Sequence, residues 1–150
     1  MLEEGQSFPE FALPDQDEKV VTLNDLRGSK TVVYFYPKDD TTGCTAEACE
    51  FRDEIPRIKG VRVVGVSPDG PRSHRKFIEK YGLNFTLLAD ENHSLCEALG
   101  IWVEKSMYGK TYMGVERTTF VLDSQGIVFK VFRKVKPQGH AQVVSDYLDA

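Results

Sequence analysis

Cysteine is scarce in this chain, with three in 150 residues. So small and odd a set cannot build the disulfide framework of a secreted mini-domain, which leaves thiols that are either buried or reactive. Long apolar runs are missing as well. No stretch approaches the ~18 residues that a membrane-crossing helix needs. The opening Met1-Leu2-Glu3-Glu4-Gly5-Gln6 is acidic where an export signal would be basic and then apolar. The expectation is a soluble, cytoplasmic protein, in which the N-x-S/T matches at Asn84 and Asn92 are chance. An excess of positive charge is also absent. Nineteen Lys and Arg against 23 Asp and Glu give a formal net charge of −4, so no nucleic-acid partner is expected. The one basic stretch, Lys130 to Lys136, alternates with Val131, Phe132 and Val135 and reads as the wet face of a strand.

Cofactor signatures are lacking too. There is no G-x-G-x-x-G, and Gly109-Lys110-Thr111 resembles the tail of a phosphate-binding loop only until Glu104, which stands where that motif needs glycine. His74, His93 and His140 are scattered, with no cysteine or carboxylate at ligand spacing, so no metal is expected. What is present is a globular composition, 41% hydrophobic and 28% charged. That length and balance suit one domain over residues 1–150, large enough to bury about two-thirds of its unfolded surface.

The elements follow from periodicity. Turn formers Pro14-Asp15-Gln16-Asp17 between two short apolar stretches suggest an N-terminal hairpin within Phe8 to Leu26. Thr31-Val32-Val33-Tyr34-Phe35-Tyr36, stopped by Pro37, reads as a strand buried on both faces. Ala48, Phe51, Ile55 and Ile58 fall at helical spacing from Cys44 onward, with Pro56 to kink or end that helix. Val61 to Val66 reads as a strand, Ser73 to Tyr81 as a helix capped by Gly82, Thr86 to Ala89 as a strand and Ser94 to Leu99 as a helix. Glu104 to Glu116 reads as a polar loop. Thr118 to Leu122 and Ile127 to Phe132 flank a turn at Asp123-Ser124-Gln125-Gly126. Gly139 to Leu148 reads as a closing helix with Ala141, Val144, Tyr147 and Leu148 on its buried stripe. This order implies an α/β protein with a mixed central sheet flanked by helices, as in thioredoxin-like folds.

The informative stretch is Pro37-Lys38-Asp39-Asp40-Thr41-Thr42-Gly43-Cys44-Thr45-Ala46-Glu47-Ala48-Cys49, at the passage from a strand to a helix. Ligand sites of α/β sheets lie beyond the carboxyl ends of strands, and a helix N-terminus adds unpaired N–H groups and partial positive charge. A free thiol, with a pKa near ~8.5, is only about 3% thiolate at neutral pH, and such surroundings raise that fraction. The gain is at most about 30-fold, and a lower pKa also costs nucleophilicity. A reaction that breaks an O–O bond therefore needs donors aimed at the departing oxygen as well. Thr41, the Cys44 N–H and an arginine are candidates, while Pro37 stiffens the loop.

Pro37-x-x-x-Thr41-x-x-Cys44 resembles the peroxiredoxin active-site signature. Arg117-Thr118-Thr119-Phe120-Val121-Leu122-Asp123-x-x-Gly126 is similar to the family segment whose arginine reaches the reactive sulfur. Pro9-Glu10-Phe11-Ala12-Leu13-Pro14-Asp15 and His140-Ala141 fit the same pattern, so the resemblance spans nearly the whole chain. A second cysteine five residues after the first is similar to the peroxiredoxin Q, or bacterioferritin comigratory protein, group. The resemblance implies a thiol peroxidase that reduces hydrogen peroxide and organic hydroperoxides. It implies Cys44 as the attacking thiol, Cys49 as the resolving thiol, an intramolecular disulfide between them, thioredoxin or a similar dithiol as reductant, and a monomer. It adds no cofactor. In an ideal helix, residues five apart have Cα atoms roughly 8.7 Å apart, beyond the ~7 Å a disulfide tolerates. A Cys44–Cys49 bond therefore requires the first turns to unwind.

Plainer readings accompany each residue. Cys49 also fits a core position beside Ala48, and Cys96, between Leu95 and Leu99, reads as core filler. Arg117 also fits a surface ion pair with Glu116 or Glu47, with Arg52 as the competing cation. Thr41 suits an N-cap. Glu47 either orients Arg117 or favours the helix N-terminus, and His140 reads as the start of a helix. A dithiol oxidoreductase would use C-x-x-C, which is absent, whereas a noncatalytic redox sensor would be oxidised without turnover.

Overall fold

The protein is described by a computed structural model that covers residues 2–149. A small hairpin of β1 (Ala12–Pro14) and β2 (Val20–Thr22) leads through α1 (Leu23–Leu26) into β3 (Lys30–Phe35). There follow α2 (Thr42–Glu54), β4 (Val61–Ser67), α3 (Pro71–Tyr81), β5 (Thr86–Ala89) and α4 (Ser94–Ala98). The chain then runs through β6 (Trp102–Met107), β7 (Lys110–Val115), β8 (Thr118–Leu122), β9 (Val128–Phe132) and α5 (His140–Asp149). The main sheet has the order β5-β4-β3-β8-β9. β3 pairs parallel with β4 and antiparallel with β8, so the sheet is mixed and thioredoxin-like, as expected.

Period-2 alternation along β3 assigns its side chains to two cores. Val32, Tyr34 and Tyr36 pack with Ala48 and Phe51 of α2, Phe77 of α3 and Val144 of α5. Val33 and Phe35 pack on the other face with Leu23 and Leu26 of α1 and Leu95 and Cys96 of α4. β3 is buried on both sides, which is why it reads as a continuous apolar run rather than an alternating one.

Several expectations change. The stretch 104–116 is not a loop: β6 and β7 form an antiparallel hairpin from Trp102↔Val115 to Met107↔Lys110. Its two-residue turn, Tyr108-Gly109, has φ of 53° and 77°, the double left-handed geometry usually signalled by Asn-Gly or Asp-Gly. Tyrosine at the first position masked it, and Tyr108 is 97% exposed. α2 begins at Thr42 rather than Cys44 and ends at Glu54, with Pro56 in a 3-10 turn, Ile55–Arg57. α3 begins at Pro71, where a missing N–H costs nothing because first-turn donors have no intrahelical partner. β9 ends at Phe132, so Lys134 and Lys136 lie beyond the strand, and Lys134 has a positive φ of 49°. Tyr147 is 37% exposed rather than buried, lying over Phe129 and Phe132 at the edge of the apolar stripe.

Candidate active site

The site forms where β3 hands over to α2. Tyr36 makes the last sheet bond, its N–H donating to the Val66 carbonyl at 3.0 Å, and Pro37, having no N–H, ends the ladder. Asp40 turns the chain with φ 57°. Thr41 takes the extended N-cap conformation (φ −94°, ψ 160°), and its carbonyl accepts the first helical bond from the Thr45 N–H at 2.8 Å. Its hydroxyl does not cap the helix but donates to the Lys38 carbonyl at 3.0 Å, tightening the loop. Cys44 is therefore the third helical residue, inside the turn where backbone N–H groups lack intrahelical partners.

Arg117 lies between β7 and β8. Antiparallel pairing places Thr118 opposite Phe35, so the start of β8 meets the end of β3 and brings Arg117 over the first turn of α2. Its Nη2 donates to Cys44 Sγ at 2.9 Å and its Nη1 to Glu47 Oε1 at 2.9 Å. Glu47 sits three residues after Cys44, hence on the same helix face. The arginine is thus the partner of Glu47, and of the two readings for that carboxylate the observed contact is with Arg117. Burial pushes the Glu47 carboxyl up to about 7, against the pull of the Arg117 guanidinium. Arg52, the competing cation, is engaged elsewhere with the Tyr81 carbonyl and Asp53.

Cys44 is 1% exposed, and Cys49 is half-buried farther along α2. Both are free thiols. Cys96 lies in the core on the opposite face of the sheet. His140 opens α5, with Nε2 2.8 Å from Thr119 Oγ1 and its ring edge-on to Phe51 and Phe132. Burial, with Arg117 as the lesser cause, lowers its pKa to about 4, leaving a neutral imidazole behind the site.

Three features escaped the sequence reading. A Cβ on Gly43 would stand 3.1 Å from both Arg117 Nη2 and Pro137 Cγ, so this glycine lets the guanidinium and the segment before α5 close over Cys44. Its place inside the signature was the available hint. Lys105 of β6 is half-buried across Gly114, and its pKa is lowered by burial and then by the nearby Arg117 charge. Only the hairpin could reveal that. Asp39 meets Asp69 and His74, 30 and 35 residues further along the chain, beneath the loop.

The same chain matches the family model described as the AhpC/TSA family over residues 5–131. The chain belongs to the AhpC/TSA family. Among these peroxiredoxins it falls with the bacterioferritin comigratory protein, or peroxiredoxin Q, group. It is 48% identical to the putative peroxiredoxin bcp of Coxiella burnetii, over 95% of this chain and 97% of that protein. It is 47% identical to peroxiredoxin Bcp of Escherichia coli, over 98% and 96% of the two chains. A structure of the Xanthomonas campestris bacterioferritin comigratory protein, 40% identical, superposes with a TM-score of 0.87 and covers 93% of this chain and 90% of its own. A Xylella fastidiosa peroxiredoxin Q mutant, 33% identical, gives 0.93 over 99% and 96%. No helix among the described residues is long and apolar enough to cross a membrane.

Proposed function

We propose that this peroxiredoxin reduces hydroperoxides through Cys44 and regenerates through a Cys44–Cys49 disulfide. Thiol peroxidase chemistry follows from the family; the division of labour among the residues is our reading. The observation that carries it is Arg117 bound to Cys44 Sγ at 2.9 Å while Glu47 holds its other nitrogen. In the proposed step the Cys44 thiolate attacks the terminal peroxide oxygen. The S–O bond forms as the O–O bond breaks, and the departing hydroxide or alkoxide takes a proton to leave as water or alcohol. Arg117, with the backbone N–H groups of the first helical turn, meets the developing negative charge. Pro37 and Thr41 shape the loop that admits the substrate. The Cys49 thiol then condenses with the Cys44 sulfenic acid, releasing water, and an external dithiol, such as thioredoxin, reduces the disulfide. Alkyl peroxide reduction by the Xanthomonas campestris relative favours organic hydroperoxides alongside hydrogen peroxide as substrates here. The protein acts as a single-domain monomer in the cytoplasm without a cofactor.

Intact-mass and peptide mapping after one equivalent of hydrogen peroxide test this. A Cys44–Cys49 disulfide is expected in wild type and in Cys96→Ser, and a Cys44 oxyacid in Cys49→Ser. Slow, unselective oxidation of all three thiols would overturn the assignment.

A further inference from the structure

The loop that delivers Thr41 and Cys44 is pinned from below by a buried polar knot. Asp39 Oδ1 accepts from the Tyr36 hydroxyl at 2.6 Å, and Oδ2 accepts from Ser73 Oγ at 2.8 Å and contacts His74 Nδ1 at 2.7 Å. Its backbone N–H donates to Asp69 Oδ2 at 2.8 Å, and that oxygen also accepts from Ser67 Oγ at 2.6 Å. His74 Nε2 lies 2.9 Å from the Leu88 carbonyl. A carbonyl only accepts, so Nε2 must donate, and the Nδ1···Oδ2 contact needs a second proton between its partners. The Asp39–His74 pair therefore holds two protons and no net charge. Both ring nitrogens of His74 are engaged within the protein, and His74 is wholly buried at 0% exposure. The arrangement is a clamp rather than a metal site.

The clamp joins the strand-to-helix loop to α3 and to the end of β4. Next to it, Asp40 has left-handed φ and is held by Lys80 Nζ at 2.8 Å and the Tyr81 hydroxyl at 2.5 Å, again on α3. This second tie is exposed and so screened by water. A non-glycine residue in that conformation stays there only while its surroundings hold it. The Thr41 carbonyl, which starts α2, follows directly.

We propose that Asp39, clamped by Ser73 and His74, is a positioning residue that sets how readily the first turns of α2 unwind. It thereby sets the rate at which Cys44 and Cys49 meet. This rests on the disulfide proposed above. A strong clamp favours the helical form in which Arg117 touches Cys44. A weak one favours the unwound form in which the thiols can bond.

Asp39→Asn keeps the shape but sets an amide against groups that donate. Three measurements apply: hydrogen exchange of amides 42–49 in the reduced protein, the rate of disulfide formation after a peroxide pulse, and the sulfinic fraction at excess peroxide. Asp39→Asn is expected to raise exchange and disulfide rate together by about tenfold, the equivalent of about 1.4 kcal/mol, and to lower the sulfinic fraction. Asp40→Asn, at the screened tie, is expected to change both by less than about threefold. Unchanged exchange in Asp39→Asn, or a rise spread evenly over all elements as general loss of stability would give, overturns the proposal. Should Asp39→Asn not fold, Ser73→Ala, which removes one clamp bond, carries the same test with a smaller rise confined to 42–49. If wild type forms no Cys44–Cys49 disulfide, the functional reading fails, while exchange over 42–49 still decides the clamp.

Discussion

Cys44 and Cys96 are equally hidden, 1% and 0% exposed, but they lie in different cores on opposite faces of the sheet. Cys44 faces a guanidinium, Arg117 Nη2 at 2.9 Å. Cys96 sits by a carboxylate: Asp90 accepts from the backbone N–H groups of Leu95 and Cys96. There burial, and then the Asp90 charge, push the thiol far above the ordinary thiol range. Two buried thiols at the starts of two helices thus differ in the sign of the charge beside them. Burial alone suppresses the thiolate, and only a built-in cation and aligned donors can offset it.

The comparison breaks most sharply by removing the sulfurs. Cys44→Ser is expected to abolish peroxide turnover in a coupled dithiol assay, and Cys96→Ser to retain it. Equal losses would mean that the two cores do not differ in function. Next in size is the cation. Arg117→Gln should lower the second-order rate with peroxide by about 10²-fold, the scale of one lost charge-stabilising donor. Gly43→Ala leaves every signature side chain in place but crowds Arg117 Nη2. A loss of about tenfold in the same rate is expected, since small misplacements of a reacting group are costly.

Two titratable groups on the Cys44 face also predict opposed pH responses. The folded Glu47 carboxyl titrates about 7, above its ordinary 4.5. Its contribution to stability is full below the unfolded value and is lost as pH rises through about 7. His140, lowered to about 4 from 6.5, contributes stability above 6.5 that is lost as pH falls through about 4. Denaturation of Glu47→Gln against wild type should therefore show a difference that grows toward alkaline pH, in favour of the variant. For His140→Gln the pH-dependent part should favour the variant toward acid. Each change is on the order of 3 kcal/mol, and parallel stability curves would contradict both. The smallest effect belongs to Tyr34, whose buried hydroxyl has no partner among the described residues while its ring stacks on Phe51 at 4.6 Å. Tyr34→Phe should leave activity intact and stability unchanged or raised by about 1 kcal/mol, measured by thermal melting.

Much of this was legible from local patterns. The apolar run before Pro37, the helical spacing of Ala48 and Phe51, and Gly82 at the end of α3 each encode an element through neighbours in sequence. The hairpin of β6 and β7 was not legible because most of its residues are exposed, so neither period nor apolar content marked it. Cys44, Thr41 and Pro37 were candidates because they share one short loop. Arg117 was a candidate through resemblance alone, since nothing in spacing ties residue 117 to residue 44.

The sequence by itself determined that Cys44, Thr41 and Pro37 are candidates for the chemistry and which segments could be strands and helices, because both depend on composition within a few residues. Only the tertiary structure decided which cation meets Cys44 rather than Arg52 or Lys105, which carboxylate holds Arg117, and which groups fasten the loop through Asp39. Those choices arise from the antiparallel crossing of β3 and β8 and from α3 packing beneath the strand ends. Contacts of that kind join residues tens of positions apart and exist only once the sheet has formed.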